Sequence, residues 1–72
     1  MNNEKVYIDT PFITLGQMLK LLNIFESGGM IKHFLRDVGV QVNDEEEHRR
    51  GRKLYVDDMV KINDQTYTIC QK

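Results

Sequence analysis

The hydrophobic periodicity of this chain changes at Gly39, and this change constrains the fold more than any other feature. Before Gly39, apolar residues recur every three or four positions, which is typical of helices with one buried face. After Gly39, apolar and polar residues alternate, which is typical of half-buried strands. The apolar positions at helical spacing are Leu15, Met18, Leu19, Leu22, Phe25, Ile31, Phe34, Leu35 and Val38. The pattern predicts an α+β fold.

Capping signals divide the helical part of the sequence into two helices. Thr14 opens a Thr-Leu-Gly-Gln capping box, which predicts a first helix at about residues 15–24. Ser27 is a second N-cap residue and predicts a second helix at residues 28–38. Gly39 then stands where a left-handed C-cap residue is expected. Because the connection is short, we expect the two helices to pack against each other.

Short alternating segments predict a small sheet. An N-terminal strand is expected at residues 4–9, with Val6 and Ile8 on its buried face. Further strands are predicted at residues 40–42, 45–48, 59–62 and 65–70, with turns at 43–44, 57–58 and 63–64. The expected architecture is therefore two packed helices with a small antiparallel β-sheet, in a single domain spanning residues 1–72.

Length and composition narrow the class of protein. The chain has 72 residues, a formal net charge of -1 and 40% hydrophobic residues, which is ordinary for a soluble domain. No apolar run approaches the roughly 20 residues that cross a bilayer, and the N-terminus lacks the features of a signal peptide. Cys70 is the single cysteine, so no internal disulfide can form, which fits a reducing cytoplasm. We expect a cytoplasmic protein with no membrane partner.

A basic block stands out against this nearly neutral background. It reads Arg49-Arg50-Gly51-Arg52-Lys53 and is predicted to be a loop. Four cations attract polyanions, and the glycine lets the backbone approach a phosphate closely. The acidic run at residues 44–47 precedes it and is expected to be a solvated hairpin tip. Alternatively, that run would repel a bound polyanion and so orient its binding, or contact a basic partner protein.

The start of the second helix is another candidate anion site. Its unpaired amides and the helix dipole favour a phosphate, and Gly28 and Gly29 leave the backbone accessible. Lys32 and Arg36 continue the site along the polar face, and Lys20 of the first helix is expected to join them. The alternative interpretation is an N-cap followed by a solvated helix face.

Other chemistry-bearing residues give weaker patterns. The spacing of His33, His48 and Cys70 does not match a zinc site, so no metal, cofactor or catalytic residue is predicted. Tyr55 follows the basic block, and its ring is expected to pack against the sheet or, alternatively, to stack on a base.

Taken together, these segments resemble the S4 RNA-binding domain, named for small-subunit ribosomal protein S4. The matching positions are Leu15, Leu19, Ser27, Ile31, Phe34, Leu35, Gly39, Val40, Val42, Asn43, Asp58 and Val60. The resemblance covers about residues 13–62. It is closest to the short stand-alone bacterial members of the YaaA and YbcJ type, which share the motifs at residues 13–17 and 49–54.

The resemblance implies the α+β fold of that family (alpha-L) and a non-catalytic RNA-binding role. The RNA contacts that it implies, together with those argued from charge, are Lys20, Ser27, Gly28, Gly29, Lys32, Arg36, Asn43, Arg49, Arg50, Arg52 and Lys53. Many S4 domains open the first helix with Arg-Leu-Asp and the second with Ser-Arg. This chain has Thr14-Leu15-Gly16 and Ser27-Gly28 instead, which shifts the electrostatic weight to the basic block.

The resulting hypothesis is a monomeric protein that binds structured ribosomal RNA during ribosome assembly or maturation. Meeting about four to six phosphates would give a log-log salt slope on the order of -3 to -5. The alternatives are binding of transfer RNA or stalled ribosomal particles, and a protein-interaction adaptor that uses the acidic hairpin. An enzyme is the remaining class, but the sequence contains no nucleophile-base pair and no paired carboxylates in an apolar setting.

Overall fold

The structure is a computed structural model and describes residues 2–72; Met1 of the predicted domain lies outside the described residues. This part of the chain forms two helices and seven strands. They are β1 (Asn2–Ile8), β2 (Ile13–Thr14), α1 (Leu15–Leu22), α2 (Gly28–Asp37), β3 (Val40–Val42), β4 (Glu45–Glu47), β5 (Lys53–Leu54), β6 (Met59–Ile62) and β7 (Gln65–Gln71). The α+β class and the two-helix arrangement are confirmed.

Five of the strands form a mixed sheet in the order β1-β7-β6-β3-β4. The pairs β3–β4, β3–β6 and β6–β7 are antiparallel, as predicted. The prediction of a wholly antiparallel sheet is wrong for β1, which lies parallel to β7 with Val6 opposite Ile69. The helical segment separates β1 from the other strands of the large sheet along the sequence. The connection is therefore long enough for β1 to pair with the last strand, β7.

A second sheet consists of β2 and β5, paired antiparallel with Ile13 opposite Leu54 and Thr14 opposite Lys53. Neither strand was predicted, because two residues are too short to show an alternating period. This small sheet joins the end of the basic block to the residue that caps α1.

The core lies between the apolar faces of the helices and one face of the large sheet. It contains Val6, Ile8, Ile13, Leu15, Met18, Leu19, Ile31, Leu35, Val40, Val42, Leu54, Val60, Ile62, Tyr67 and Ile69. Burying each such side chain contributes about 1.5–3 kcal/mol relative to leaving it exposed. Val38 was predicted on the buried face of α2 but is 57% exposed, because α2 ends at Asp37.

The predicted helix caps are confirmed. The Thr14 amide donates to Gln17 Oε1 at 2.9 Å, and the Gln17 amide donates to Thr14 Oγ1 at 3.2 Å. Ser27 Oγ accepts from the Met30 amide at 3.3 Å. Helix α1 ends earlier than predicted, because Asn23 adopts a left-handed conformation with φ 56°.

Gly39 ends the helical region with φ 79°, as expected. A Cβ at this position would lie 2.6 Å from His48 Cε1 and 3.0 Å from the Glu47 carbonyl oxygen. Two independent reasons therefore require glycine here: the backbone conformation and the close approach of β4. None of the helices within residues 2–72 is long and apolar enough to cross a membrane.

Candidate nucleic-acid interface

A groove of about 360 Å³ lies where the first turn of α1 and the start of α2 meet the loop of the basic block. We call that loop, residues 49–53, the basic loop, and we call the groove the glycine groove. Its lining consists of Thr14, Gly16, Gln17, Lys20, Gly28, Ile31, Arg50 and Gly51. Two segments that the sequence singled out separately, the start of α2 and the basic block, therefore border one groove.

Backbone hydrogen bonds hold the basic loop against α1. The Gly16 amide donates to the Arg50 carbonyl at 2.9 Å, and the Leu15 amide donates to the Arg52 carbonyl at 2.8 Å. These amides belong to the first turn of α1 and have no partner within the helix. The loop therefore satisfies the N-terminus of α1, and a ligand phosphate would have to find its amides elsewhere.

Helix α2 offers such amides. Neither the Gly28 nor the Gly29 amide donates a hydrogen bond to another group within residues 2–72. Both glycines are exposed, and a Cβ built at Gly28 would meet nothing within 4 Å. The positive end of the α2 dipole thus opens into the glycine groove at Gly28.

Two cations share this groove with the Gly28 amide. Lys20 reaches it from α1 and Arg50 from the basic loop, and both side chains belong to exposed residues. Within the described part of the chain, neither forms an ion pair. An anion in the groove would therefore meet two cations and a helix N-terminus at once.

The buried carboxylate of Glu47 holds the basic loop in place. The residue is only 6% exposed, and its Oε1 accepts from Arg49 Nη2 at 3.1 Å and from Arg52 Nη1 at 2.9 Å. Its Oε2 accepts from Arg49 Nε at 3.0 Å and from the amides of His48 and Arg49, both at 3.1 Å. The Arg49 hydrogen bond, more than any other contact, holds the pKa of Glu47 well below its ordinary value of 4.5.

This arrangement corrects two expectations. The acidic run is exposed at residues 44–46, but the prediction of a solvated tip is wrong for Glu47. Two of the four cations of the basic block are also bound within the fold, because Glu47 pairs with both Arg49 and Arg52. Arg49 remains 75% exposed at its side chain and Arg52 only 28%, so Arg52 is the more deeply fixed of the two.

His48 ties β4 to the end of α2. Its Nε2 lies 2.7 Å from Glu46 Oε2, and its Nδ1 lies 2.5 Å from the Leu35 carbonyl oxygen. Both partners can only accept hydrogen bonds, so both contacts are satisfied together only when the ring is protonated. The Glu46 carboxylate first, and the Leu35 carbonyl second, raise the pKa of His48.

The remaining predicted residues lie outside the glycine groove. Lys32 and Arg36 are on the exposed part of α2, where Arg36 Nε donates to Asp37 Oδ1 at 3.0 Å and lowers the pKa of that carboxyl. Asn43 occupies the β3–β4 turn, where Nδ2 donates to Asp58 at 3.1 Å and Oδ1 accepts from the Met59 amide at 3.0 Å. These hydrogen bonds stabilise the sheet, and the contact of Asn43 with RNA stays a prediction.

Lys53 also lies outside the lining of the glycine groove, and its Nζ is 5.0 Å from the centre of the Phe12 ring. Sequence reasoning missed the contribution of Thr14, Gly16 and Gln17 to the groove, although the capping box had already placed them at the start of α1. Within residues 2–72, no three His, Cys, Asp or Glu side chains are grouped as metal ligands would be.

Comparison with known proteins agrees with the fold. The family model of the S4 domain matches residues 6–70. The chain therefore belongs to the S4 domain family, a class of RNA-binding modules, and the match extends beyond the predicted 13–62 at both ends. The chain is also 60% identical, over 57 residues, to the probable ribosome maturation protein RlbA of Bacillus subtilis (strain 168). That alignment covers 79% of this chain and 80% of the relative.

Proposed function

We propose that this chain is a non-catalytic protein that binds structured ribosomal RNA during ribosome maturation, and that the glycine groove holds an RNA phosphate. One observation carries the proposal: Lys20, Arg50 and the Gly28 amide converge on a single open groove. The relative described as a ribosome maturation protein supports the ribosomal setting. On this proposal the protein acts as a cytoplasmic monomer, with RNA and neighbouring ribosomal proteins as its partners.

In the proposed mechanism, electrostatic attraction first captures the RNA backbone, and hydrogen bonds from the start of α2 then fix its position. Lys20 and Arg50 attract the backbone, and the amides of Gly28 and Gly29 then donate to phosphate oxygens. Ser27 fixes the first turn of α2, so these amides hold their positions without a ligand. Glu47 holds the loop that carries Arg50. Lys32, Arg49 and Lys53 contact phosphates further along the backbone.

The proposal predicts which cations matter. In binding assays with ribosomal RNA fragments, Lys20→Gln and Arg50→Gln should each weaken affinity for every fragment and reduce the log-log salt slope by about 1. Lys5→Gln is the matched control, because it removes one exposed charge from a residue of β1 that does not line the glycine groove. Equal loss of affinity in the control and in the groove variants would refute the site.

A second experiment identifies the particle. A tagged protein sedimented through a sucrose gradient should travel with ribosomal precursor particles and leave them when the RNA is digested. Travel with transfer RNA or with stalled ribosomes would contradict the maturation role. The adaptor hypothesis loses part of its basis, because Glu47 is buried and paired with two arginines, so only residues 44–46 of the acidic hairpin are exposed to a partner.

A further inference from the structure

A second groove, of about 780 Å³, borders the first and is lined mainly by apolar and aromatic groups. We call it the aromatic groove. It runs from the end of β1 past Phe12 to α1, and it includes Tyr7, which is 55% exposed, and Leu21, which is 63% exposed. Large apolar side chains in so small a protein are normally buried, so an exposed group of them marks a surface that binds something.

Phe12 lies at the centre of an aromatic and cationic cluster. Its ring centre is 5.8 Å from that of Tyr55, with the planes tilted by 49°. Lys53 Nζ stands over the same ring at 5.0 Å. Tyr55 is 49% exposed, so it does not pack into the sheet as the sequence suggested. Phe12 is half-buried and lines the groove, whereas Tyr55 and Lys53 contact Phe12 from outside the lining. An aromatic ring at the edge of a groove, with a second ring and an ammonium group beside it, suits a nucleobase and its phosphate.

The two grooves adjoin each other. Gln17 and Lys20, both in the first two turns of α1, line both grooves. An RNA chain with one phosphate in the glycine groove would therefore reach the aromatic groove at these two residues. This shared border places Phe12 near the phosphate site, which was located without reference to it.

We infer that the aromatic groove binds an unpaired RNA base, stacked on Phe12 and Tyr55, next to the phosphate held in the glycine groove. The inference rests on the proposed function and extends it from backbone capture to recognition of an unstacked nucleotide. Bases tolerate such a platform whatever their identity, because every base has a π-face. The requirement is for RNA that is locally single-stranded, at a bulge, loop or end.

The charges favour a base over other occupants. Lys20 and Lys72 line the groove and Lys53 flanks it, so a second copy of this chain would bring like charges together across a two-fold axis. An apolar peptide would gain nothing from the lysines. Asp9, also in the lining, would repel a phosphate but can accept from an exocyclic amino group of a base.

The test compares two probes of equal charge: hexa-adenylate RNA and a hexamer of abasic ribose phosphates. Binding is measured at low salt by titration with NMR detection. Wild type should bind hexa-adenylate about five-fold or more tightly than the abasic hexamer, because stacking one base is worth at least about 1 kcal/mol. Phe12→Leu and Tyr55→Leu should each reduce this preference and leave affinity for the abasic hexamer unchanged.

Phe34→Leu is the matched control, since it removes a half-buried ring from α2 outside the groove and should keep the preference. Arg50→Gln should weaken both probes equally. Equal binding of both probes by wild type overturns the inference and leaves the phosphate site standing, whereas failure of both probes to bind overturns the inference together with the phosphate site. A wild-type dimer in sedimentation that Phe12→Leu dissociates would show that the groove is an interface between copies, and would also overturn the inference.

Discussion

Replacing Glu47 with glutamine tests whether a buried carboxylate holds the basic loop in place. The substitution keeps the size and shape of the side chain but replaces one acceptor oxygen with a donor. In the best orientation, the glutamine oxygen keeps the three bonds that Oε2 receives. The guanidinium groups of Arg49 and Arg52 then face an amino group where Oε1 accepted from both.

The size of the stability loss depends on how well water can replace the hydrogen bond that each arginine loses. The Arg49 side chain is 75% exposed, so water replaces its lost partner. Arg52 is only 28% exposed, so it loses most of one charge-assisted hydrogen bond, worth about 1.5–3 kcal/mol. We expect Glu47→Gln to lower the free energy of unfolding by about 2 kcal/mol. For a domain of this size, that lowers the melting temperature by roughly 10 °C.

The assay is urea unfolding at several pH values. The folded-state pKa of Glu47 is depressed below its ordinary value of 4.5, so its contribution is fully present above that pH and is lost as the pH falls towards the folded-state pKa. The stability difference between wild type and Glu47→Gln should therefore be constant near neutrality and narrow below about pH 4.5.

Glu45→Gln is the matched control, being the same change on the same strand at an exposed position. Its effect should stay within about 0.5 kcal/mol. If Glu47→Gln were as stable as Glu45→Gln at pH 7, the carboxylate would not anchor the loop. A stability difference that did not narrow in acid would likewise refute the depressed pKa.

Three further predictions concern single positions. Gly39→Ala should cost about 2 kcal/mol in chemical denaturation, because φ is 79° and the new Cβ would meet His48, whereas Gly51→Ala, with open space around it, should be nearly neutral. His48→Gln should remove a stabilising contribution that is fully present below pH 6.5 and disappears as the pH rises through the elevated folded-state pKa, so the two proteins should converge in stability as the pH rises above 6.5. Thr14→Ala removes the hydroxyl that accepts from the Gln17 amide, and it should lower the free energy of unfolding by about 1 kcal/mol in urea.

The helices and their capping residues were predictable because their signals are local. The Thr14 capping box, the Ser27 cap and the left-handed Gly39 all depend on residues within one turn of each other. The turn at residues 43–44 was predictable for the same reason, and Asn43 and Asp44 have φ of 51° and 70°. Only the lengths of the helices differed, because Asn23 and Val38 end them earlier than the apolar pattern suggested.

The features that escaped prediction depend on contacts between distant segments. The parallel pairing of β1 with β7 joins residues more than sixty positions apart, and no local pattern specifies it. Glu47 follows three acidic neighbours and has the composition of a solvated tip; only the fold shows that its carboxylate points between two arginines. The aromatic groove likewise needs Phe12 and Tyr55 side by side, which the β2–β5 pairing brings about.

The net charge of -1 is compatible with RNA binding because of where the charges lie. Glu47 is neutralised inside the fold by two arginines, and Asp58 accepts hydrogen bonds from the Tyr55 amide and from Asn43. Lys20 and Arg50, in contrast, form no ion pair within the described residues and face an open groove. Screening limits electrostatic reach to about 8 Å at physiological salt. On the proposed function, a phosphate in the groove would sense these two cations and the start of α2 more strongly than any acid beyond that range, so the position of charge rather than its sum would govern binding at this surface.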